Sequence, residues 1–153
     1  MATTETSLMN QQLDALLFQE TNLVANLANA SALLNSTYDD LNWVGFYLFN
    51  DETGELDLGP FQGKVACMHI KVGAGVVGTA FETQTNQRIA DVHQFPGHIA
   101  CDSASNSEIV VPITKDGHQI GVLDVDSPSL DRFSAEDEAE LTEFVAILTT
   151  HID

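Results

Sequence analysis

Ser107-Glu-Ile-Val-Val-Pro-Ile-Thr-Lys-Asp-Gly-His-Gln-Ile-Gly-Val-Leu-Asp-Val-Asp126 is the stretch from which the fold of this chain can be read. Two runs of branched apolar residues, Ser107 to Ile113 and Gln119 to Val125, flank Lys115-Asp116-Gly117, a turn with glycine where positive φ is wanted. The pair predicts a β-hairpin. Side chains two apart on a strand share a face, so Asp124 and Asp126 point the same way, with Cβ atoms about 7 Å apart. Glu108 begins the partner strand, which brings three carboxylates toward one end of a sheet. Read alone, Asp126 ends the strand and caps a turn with Ser127-Pro128. Asp124, between Leu123 and Val125, needs a buried partner, and the chain has few basic residues to supply one. A cationic ligand is the better candidate.

Upstream of the hairpin, His93 to Asn106 reads as a loop, with Pro96-Gly97 as turn chemistry and a small polar run that cannot be core. It carries Cys101, seven residues before Glu108. A thiol on a loop beside a strand-mounted acid suggests a reactive site. Farther back, Asn42 to Phe49 is rich in aromatic and branched residues and predicts a central strand. It connects through Asp51-Glu52-Thr53-Gly54 to a second strand around Leu56 to Phe61. Val65 to Val72 alternates, with Ala66, Met68, Ile70 and Val72 on one face and Cys67, His69 and Lys71 on the other. Val76 to Thr83 predicts a short helix, and Arg88 to Asp91 an edge strand.

Helical spacing of Leu13, Leu16 and Leu17, then Val24, Leu27, Ala28, Ser31 and Leu34, predicts one or two helices between Leu8 and Asn35, with a break near Glu20-Thr21-Asn22. Ser134 with Asp137 forms a capping pair for a last helix whose stripe is Leu141, Phe144, Val145 and Leu148. Helices at both ends of a mostly antiparallel sheet give an α+β, three-layer domain. No repeat or linker divides residues 1–153, so a single domain is expected.

The composition narrows the function. Of 153 residues, 23 are acidic and 5 are Lys or Arg, a formal charge of −18. Phosphate contacts need a basic surface, so nucleic acid and anionic membranes are disfavoured as partners. No run approaches the ~18–20 apolar residues of a membrane helix. No secretory signal is visible at Met-Ala-Thr-Thr-Glu-Thr-Ser, and two cysteines without one argue for a reducing cytoplasm.

The cysteines themselves support three readings. They are inert buried thiols; or, with His69 and His98, they form a Cys₂His₂ zinc site of unusual spacing; or they are a redox pair with Cys101 as the attacking thiolate and Cys67 as the resolving thiol. Gly73-x-Gly75-x-x-Gly78 matches a dinucleotide fingerprint in the wrong context and reads instead as a tight strand-to-helix turn. Trp43, Phe46 and Tyr47 are core candidates, one face of which walls a small pocket.

Several blocks together resemble one family. They are Asn42-Trp-Val-Gly-Phe-Tyr47, Gly59-Pro-Phe-Gln-Gly-Lys-Val-Ala-Cys67, Gly75-Val-Val-Gly-Thr-Ala80, Asp91-Val-His93 with Gly97-His-Ile-Ala-Cys-Asp102, Ser107-Glu-Ile-Val-Val-Pro112 and Gly121-Val-Leu-Asp-Val-Asp126. In order and without large gaps, they are similar to the free methionine-(R)-sulfoxide reductases, small enzymes built on a GAF domain. The resemblance implies a GAF-like fold and reduction of the R epimer of free methionine sulfoxide. It implies Cys101 as nucleophile and Cys67 as resolving cysteine. Glu108, Asp124 and Asp126 match the acidic substrate site and Trp43 and Tyr47 its aromatic wall, with Ala100 and Asp102, beside the nucleophile, as further substrate-binding positions. Many members carry a third cysteine where this chain has Val77, so the implied internal disulfide is Cys67–Cys101. The resemblance also implies a homodimer, no bound cofactor or metal, and thioredoxin or a similar dithiol as external reductant.

The residues fit that chemistry independently. Free methionine sulfoxide offers an ammonium for the carboxylates, which a peptide-bound residue lacks. An acid held protonated by its neighbours can donate to the sulfoxide oxygen. Backbone N–H groups around Asp102 to Ser105 suit the substrate carboxylate. The alternative is a non-catalytic GAF sensor for an amino acid or other small cation, with the thiols as bystanders.

Overall fold

A computed structural model of the chain describes residues 6–98 and 104–153. Six strands form one sheet: β1 (Trp43–Asn50), β2 (Glu55–Gly63), β3 (His69–Lys71), β4 (Gln87–Ile89), β5 (Ser107–Lys115) and β6 (His118–Ser127). Their spatial order is β3-β2-β1-β6-β5-β4, and every neighbouring pair is antiparallel. Among the described residues four α-helices accompany it: α1 (Leu8–Leu16), α2 (Leu23–Thr37), α3 (Gly75–Thr83) and α4 (Ala135–Thr149).

The alternation of apolar residues sorts the two faces of the sheet. Val44 and Phe46 on β1, Ile109 and Val111 on β5, and Leu123 and Val125 on β6 form one buried cluster with Leu13, Leu27, Leu34, Leu141 and Phe144 of the terminal helices. Trp43, Tyr47, Val110 and Val122 face the other way and pack with Val76, Val77, Ala80 and Phe81 of α3. Helices therefore cover both faces, the three-layer α+β arrangement expected from the sequence.

Local chemistry sets the element ends. The break between α1 and α2 falls at Glu20, whose carboxylate accepts the N–H groups of Thr21 and Asn22 at 3.0 Å each. Asn22 then caps α2 by accepting the N–H of Ala25 at 3.0 Å. Ser134 and Asp137 form a full capping box at the start of α4, and Glu136 and Glu138 add charge suited to a helix N-terminus. The β5–β6 turn is two residues long, with Asp116 at φ 53 and Gly117 at φ 77.

Two expectations fail. Leu16, Val24 and Ala28 lie on the solvent side, and Ala30 takes a buried place that the assumed stripe left out. Val65 to Val72 is not one strand: only His69 to Lys71 pairs, opposite Glu55 to Asp57, and Met68 is 71% exposed. From Leu58 onward β2 turns its pairing to β1 alone, apart from one bond from the Leu58 N–H to the Met68 carbonyl at 2.9 Å. Cys67 therefore precedes β3 rather than sharing a strand face with His69 and Lys71. His69 instead pairs with Asp57 at 2.8 Å.

Candidate active site

Strand register builds the site row by row. Across β1, β6 and β5, Trp43, Asp126 and Glu108 stand in one row, and Gly45, Asp124 and Val110 in the next. Both rows face α3. Glu108, Asp124 and Asp126 are 6%, 5% and 8% exposed, and each offers a carboxylate oxygen within 4.8 Å of the others'.

Gly45 makes the aromatic wall possible. A Cβ there would stand 2.3 Å from the Phe61 Cβ and 2.7 Å from Trp43 Cη2. With no side chain in the way, Trp43 stacks on Phe61 (centroids 5.1 Å apart, 17°) and on Tyr47 (5.8 Å, 23°). Trp43 donates its indole N–H to the Lys64 carbonyl at 3.1 Å, and Tyr47 its hydroxyl to the Cys67 carbonyl at 3.0 Å. The wall thus holds the segment that carries Cys67.

The glycine motif forms the opposite side. Gly73 and Gly75 have φ of 87 and 63, and a Cβ on Gly78 would sit 2.4 Å from the Lys71 carbonyl oxygen. The motif is the tight strand-to-helix turn expected, and it lays Gly75, Val76 and Val77 over the acids. With Ala66, Ile70, His98 and Ser105 these residues line one pocket above the acids.

The electrostatics are unusual for so acidic a chain. Burial, then the charges of Asp126 and Glu108, then hydrogen bonds with both, raise the Asp124 carboxyl well above the ordinary carboxylate range. Burial and the same three acids also push the Tyr47 phenol upward. Among the described residues no ion pair involves Glu108 or Asp124, and Asp124 Oδ1 has no hydrogen-bond partner. Three convergent buried carboxyls below an aromatic wall can take a cation: an oxygen-loving metal ion or an alkylammonium group.

Of the residues singled out from sequence, Trp43, Tyr47, Glu108, Asp124 and Asp126 come together in this pocket. Ala100, Cys101 and Asp102 lie outside the described residues. Cys67, next in sequence to the lining residue Ala66, is half-buried and disulfide-bonded, which removes its sulfur from zinc ligation in this state. Asp126 lines the pocket. The turn belongs to Ser127, whose hydroxyl accepts the Ser129 N–H at 3.0 Å. Ser105, expected beside the substrate carboxylate, also lines the pocket, whereas sequence reasoning missed Ile70, Val76 and Val77; the glycine motif was the available signal for the last two.

The GAF domain family model matches residues 29–153. The free methionine-R-sulfoxide reductase of Escherichia coli is 55% identical over 140 residues, 92% of this chain and 84% of that protein. The chain belongs to the free methionine-R-sulfoxide reductase family of GAF domains. The structure of fRMsr of Staphylococcus aureus in complex with substrate superposes with a TM-score of 0.90 at 50% identity, covering 99% of this chain and 97% of that one. The free methionine-R-sulfoxide reductase of Neisseria meningitidis, in complex with its substrate, gives a TM-score of 0.91 at 42% identity, covering 99% and 92%. In this chain, position 77 contributes an apolar valine, 5% exposed, to the pocket lining.

Proposed function

We propose that the chain reduces the R epimer of free methionine sulfoxide to methionine. The observation that carries this reading is the convergence of Glu108, Asp124 and Asp126 in one buried pocket walled by Trp43 and Tyr47. The substrate's ammonium supplies the counter-charge for carboxylates that cannot all ionise together, and its methylthio arm lies against the rings. A blocked amine offers no such charge, which explains selection of the free amino acid.

In this mechanism the proton that burial places first on Asp124 is donated to the sulfoxide oxygen, making the sulfur electrophilic. The Cys101 thiolate attacks that sulfur, methionine departs, and the oxygen remains on Cys101 as a sulfenic acid. Cys67 attacks the sulfenic sulfur, water leaves, and the Cys67–Cys101 disulfide forms. Thioredoxin or a similar dithiol returns both thiols. Support for this half comes from the disulfide-bonded state of Cys67, whose carbonyl is held by the pocket residue Tyr47, and from Cys101 being the chain's one other cysteine.

The test is a turnover assay with dithiothreitol as reductant and four substrates: the R and S epimers, each free and N-acetylated. Methionine should form from the free R epimer. Binding of that compound without turnover would make the protein a sensor.

A further inference from the structure

The five basic side chains of this chain are unequally used. Arg88 pairs with Glu138 at 2.9 Å, and Arg132 with Asp39 and Asp137 at 3.2 and 3.3 Å. Lys115 donates to the Ile152 carbonyl. Lys64 and Lys71 are exposed, and among the described residues their ammonium groups have neither an ion pair nor a hydrogen bond. Glu55 stands opposite Lys71 in the strand register without pairing to it. The two unneutralised cations of a chain with a formal charge of −18 therefore flank one short segment, and that segment contains the disulfide-bonded Cys67.

The same segment exposes apolar surface. Val65 is 87% and Met68 71% exposed, two residues before Cys67 and one after it. The segment is nonetheless fixed. Its carbonyls at Lys64, Cys67 and Met68 accept hydrogen bonds from Trp43, Tyr47 and the Leu58 N–H at 3.1, 3.0 and 2.9 Å. A fixed segment with exposed apolar side chains, flanked by two unpaired lysines and carrying the half-buried, disulfide-bonded Cys67, has the composition of a protein-docking surface.

We infer that Lys64, Val65, Met68 and Lys71 form the docking surface for the protein dithiol that reduces the Cys67 disulfide, and that this partner presents an acidic rim around its reactive thiol. The inference rests on the reductase reading above. One partner thiolate attacks the Cys67 sulfur; the S–S bond breaks and Cys101 leaves as a thiolate that takes a proton. The partner's second thiolate then attacks the mixed disulfide and releases the Cys67 thiolate, which is protonated in turn. Two electrons pass, and the partner ends as a disulfide. Elsewhere the acidic surface would repel such a partner, so the two lysines decide where it approaches.

The test compares the wild type with the double variant Lys64→Glu/Lys71→Glu, using free methionine R-sulfoxide as substrate. Each is driven either by thioredoxin with its NADPH-dependent reductase or by dithiothreitol. The kcat/KM for thioredoxin should fall about tenfold or more in the variant, in the range that charge steering supplies. The wild-type value should decline with added salt and the variant's should not. Turnover with dithiothreitol and the KM for the sulfoxide should stay as in the wild type. A second variant, Val65→Ser/Met68→Gln, should also lower kcat/KM for thioredoxin alone. Thioredoxin kinetics unchanged in both variants would overturn the proposal. So would a shift in oligomeric mass by light scattering with those kinetics intact, which would make the face an interface between copies. Absence of wild-type turnover with dithiothreitol would instead remove the reductase reading itself, and the docking proposal with it.

Discussion

Tyr47 donates its hydroxyl to the main-chain carbonyl of Cys67 at 3.0 Å. One side chain thereby serves two parts of the proposed reaction: its ring walls the substrate pocket, and its oxygen fixes the segment that presents the resolving sulfur. In the proposed reaction, substrate recognition and thiol placement would be mechanically joined at this bond.

Tyr47→Phe keeps the ring and removes the bond. The variant should lose about 1 kcal/mol of stability, or about 2–4 °C in Tm, by calorimetry. Release of the first methionine should be unchanged, while thioredoxin-driven steady turnover slows severalfold. Equal slowing of both phases would place the hydroxyl in the chemical step instead.

Asp124→Asn tests the buried acid. Because folding raises this carboxyl above its ordinary 3.8, the native state binds more protons than the unfolded chain. Stability of the ligand-free protein from this source is therefore full below about pH 4 and is lost as pH rises through the folded-state value. The asparagine variant has no such loss, so its Tm should gain on the wild type as pH rises above about 4. Its turnover should drop at least tenfold, as expected when a positioned acid is removed. A Tm difference that does not change with pH would refute the assigned protonation.

Glu108→Gln removes one charge from the ammonium site without changing its shape. The kcat/KM for the free sulfoxide should fall about tenfold to a hundredfold, the worth of a charge-assisted hydrogen bond. The preference for free over N-acetylated substrate should shrink in proportion. An undiminished preference, measured by competition between the two, would place the amine elsewhere.

Gly45→Ala inserts a methyl group into space that the Phe61 Cβ and the Trp43 ring already occupy. Overpacking of this kind costs about 1–3 kcal/mol. The variant should therefore melt lower, and displacement of the wall should raise the KM for the sulfoxide more than it lowers kcat. A Tm equal to that of the wild type would show that the wall yields freely.

The cysteines separate by kinetics. Cys101→Ser should form no methionine. Cys67→Ser should release about one methionine per chain and then stall with thioredoxin, since the sulfenic acid has no internal resolver. Sustained thioredoxin-driven turnover by the Cys67 variant, followed by reductase-coupled NADPH oxidation, would show that the resolver is dispensable.

The acid cluster was legible because it depends only on strand parity and hairpin pairing, and both are written in the apolar alternation of residues 107–126. Glu108 therefore lands opposite Asp126, as the hairpin required. Residues 65–72 were misread for the converse reason. Alternation reports which side chains would share a face if a partner strand were present, and only the end of β2 at Glu55 to Asp57 supplies one. Asp126 taken alone reads as a turn cap because Ser127-Pro128 follows it; the Ser127 hydroxyl accepts the Ser129 N–H there, and the Asp126 carboxylate lines the pocket with Glu108 and Asp124. The lining from Val76 and Val77 was hidden because their helix packs onto the sheet through tertiary contacts that no local pattern records.

All three acids ride on two strands joined by the tight Asp116-Gly117 turn, and that arrangement has a consequence for how the site is inherited. Deleting a single residue between Gly121 and Asp124 would, if pairing were otherwise kept, rotate both aspartates into the layer beneath the terminal helices, where leucine and phenylalanine wait instead of a ligand. Such a site has no halfway form: descent with insertions or losses here either preserves the whole constellation or abolishes it in one step.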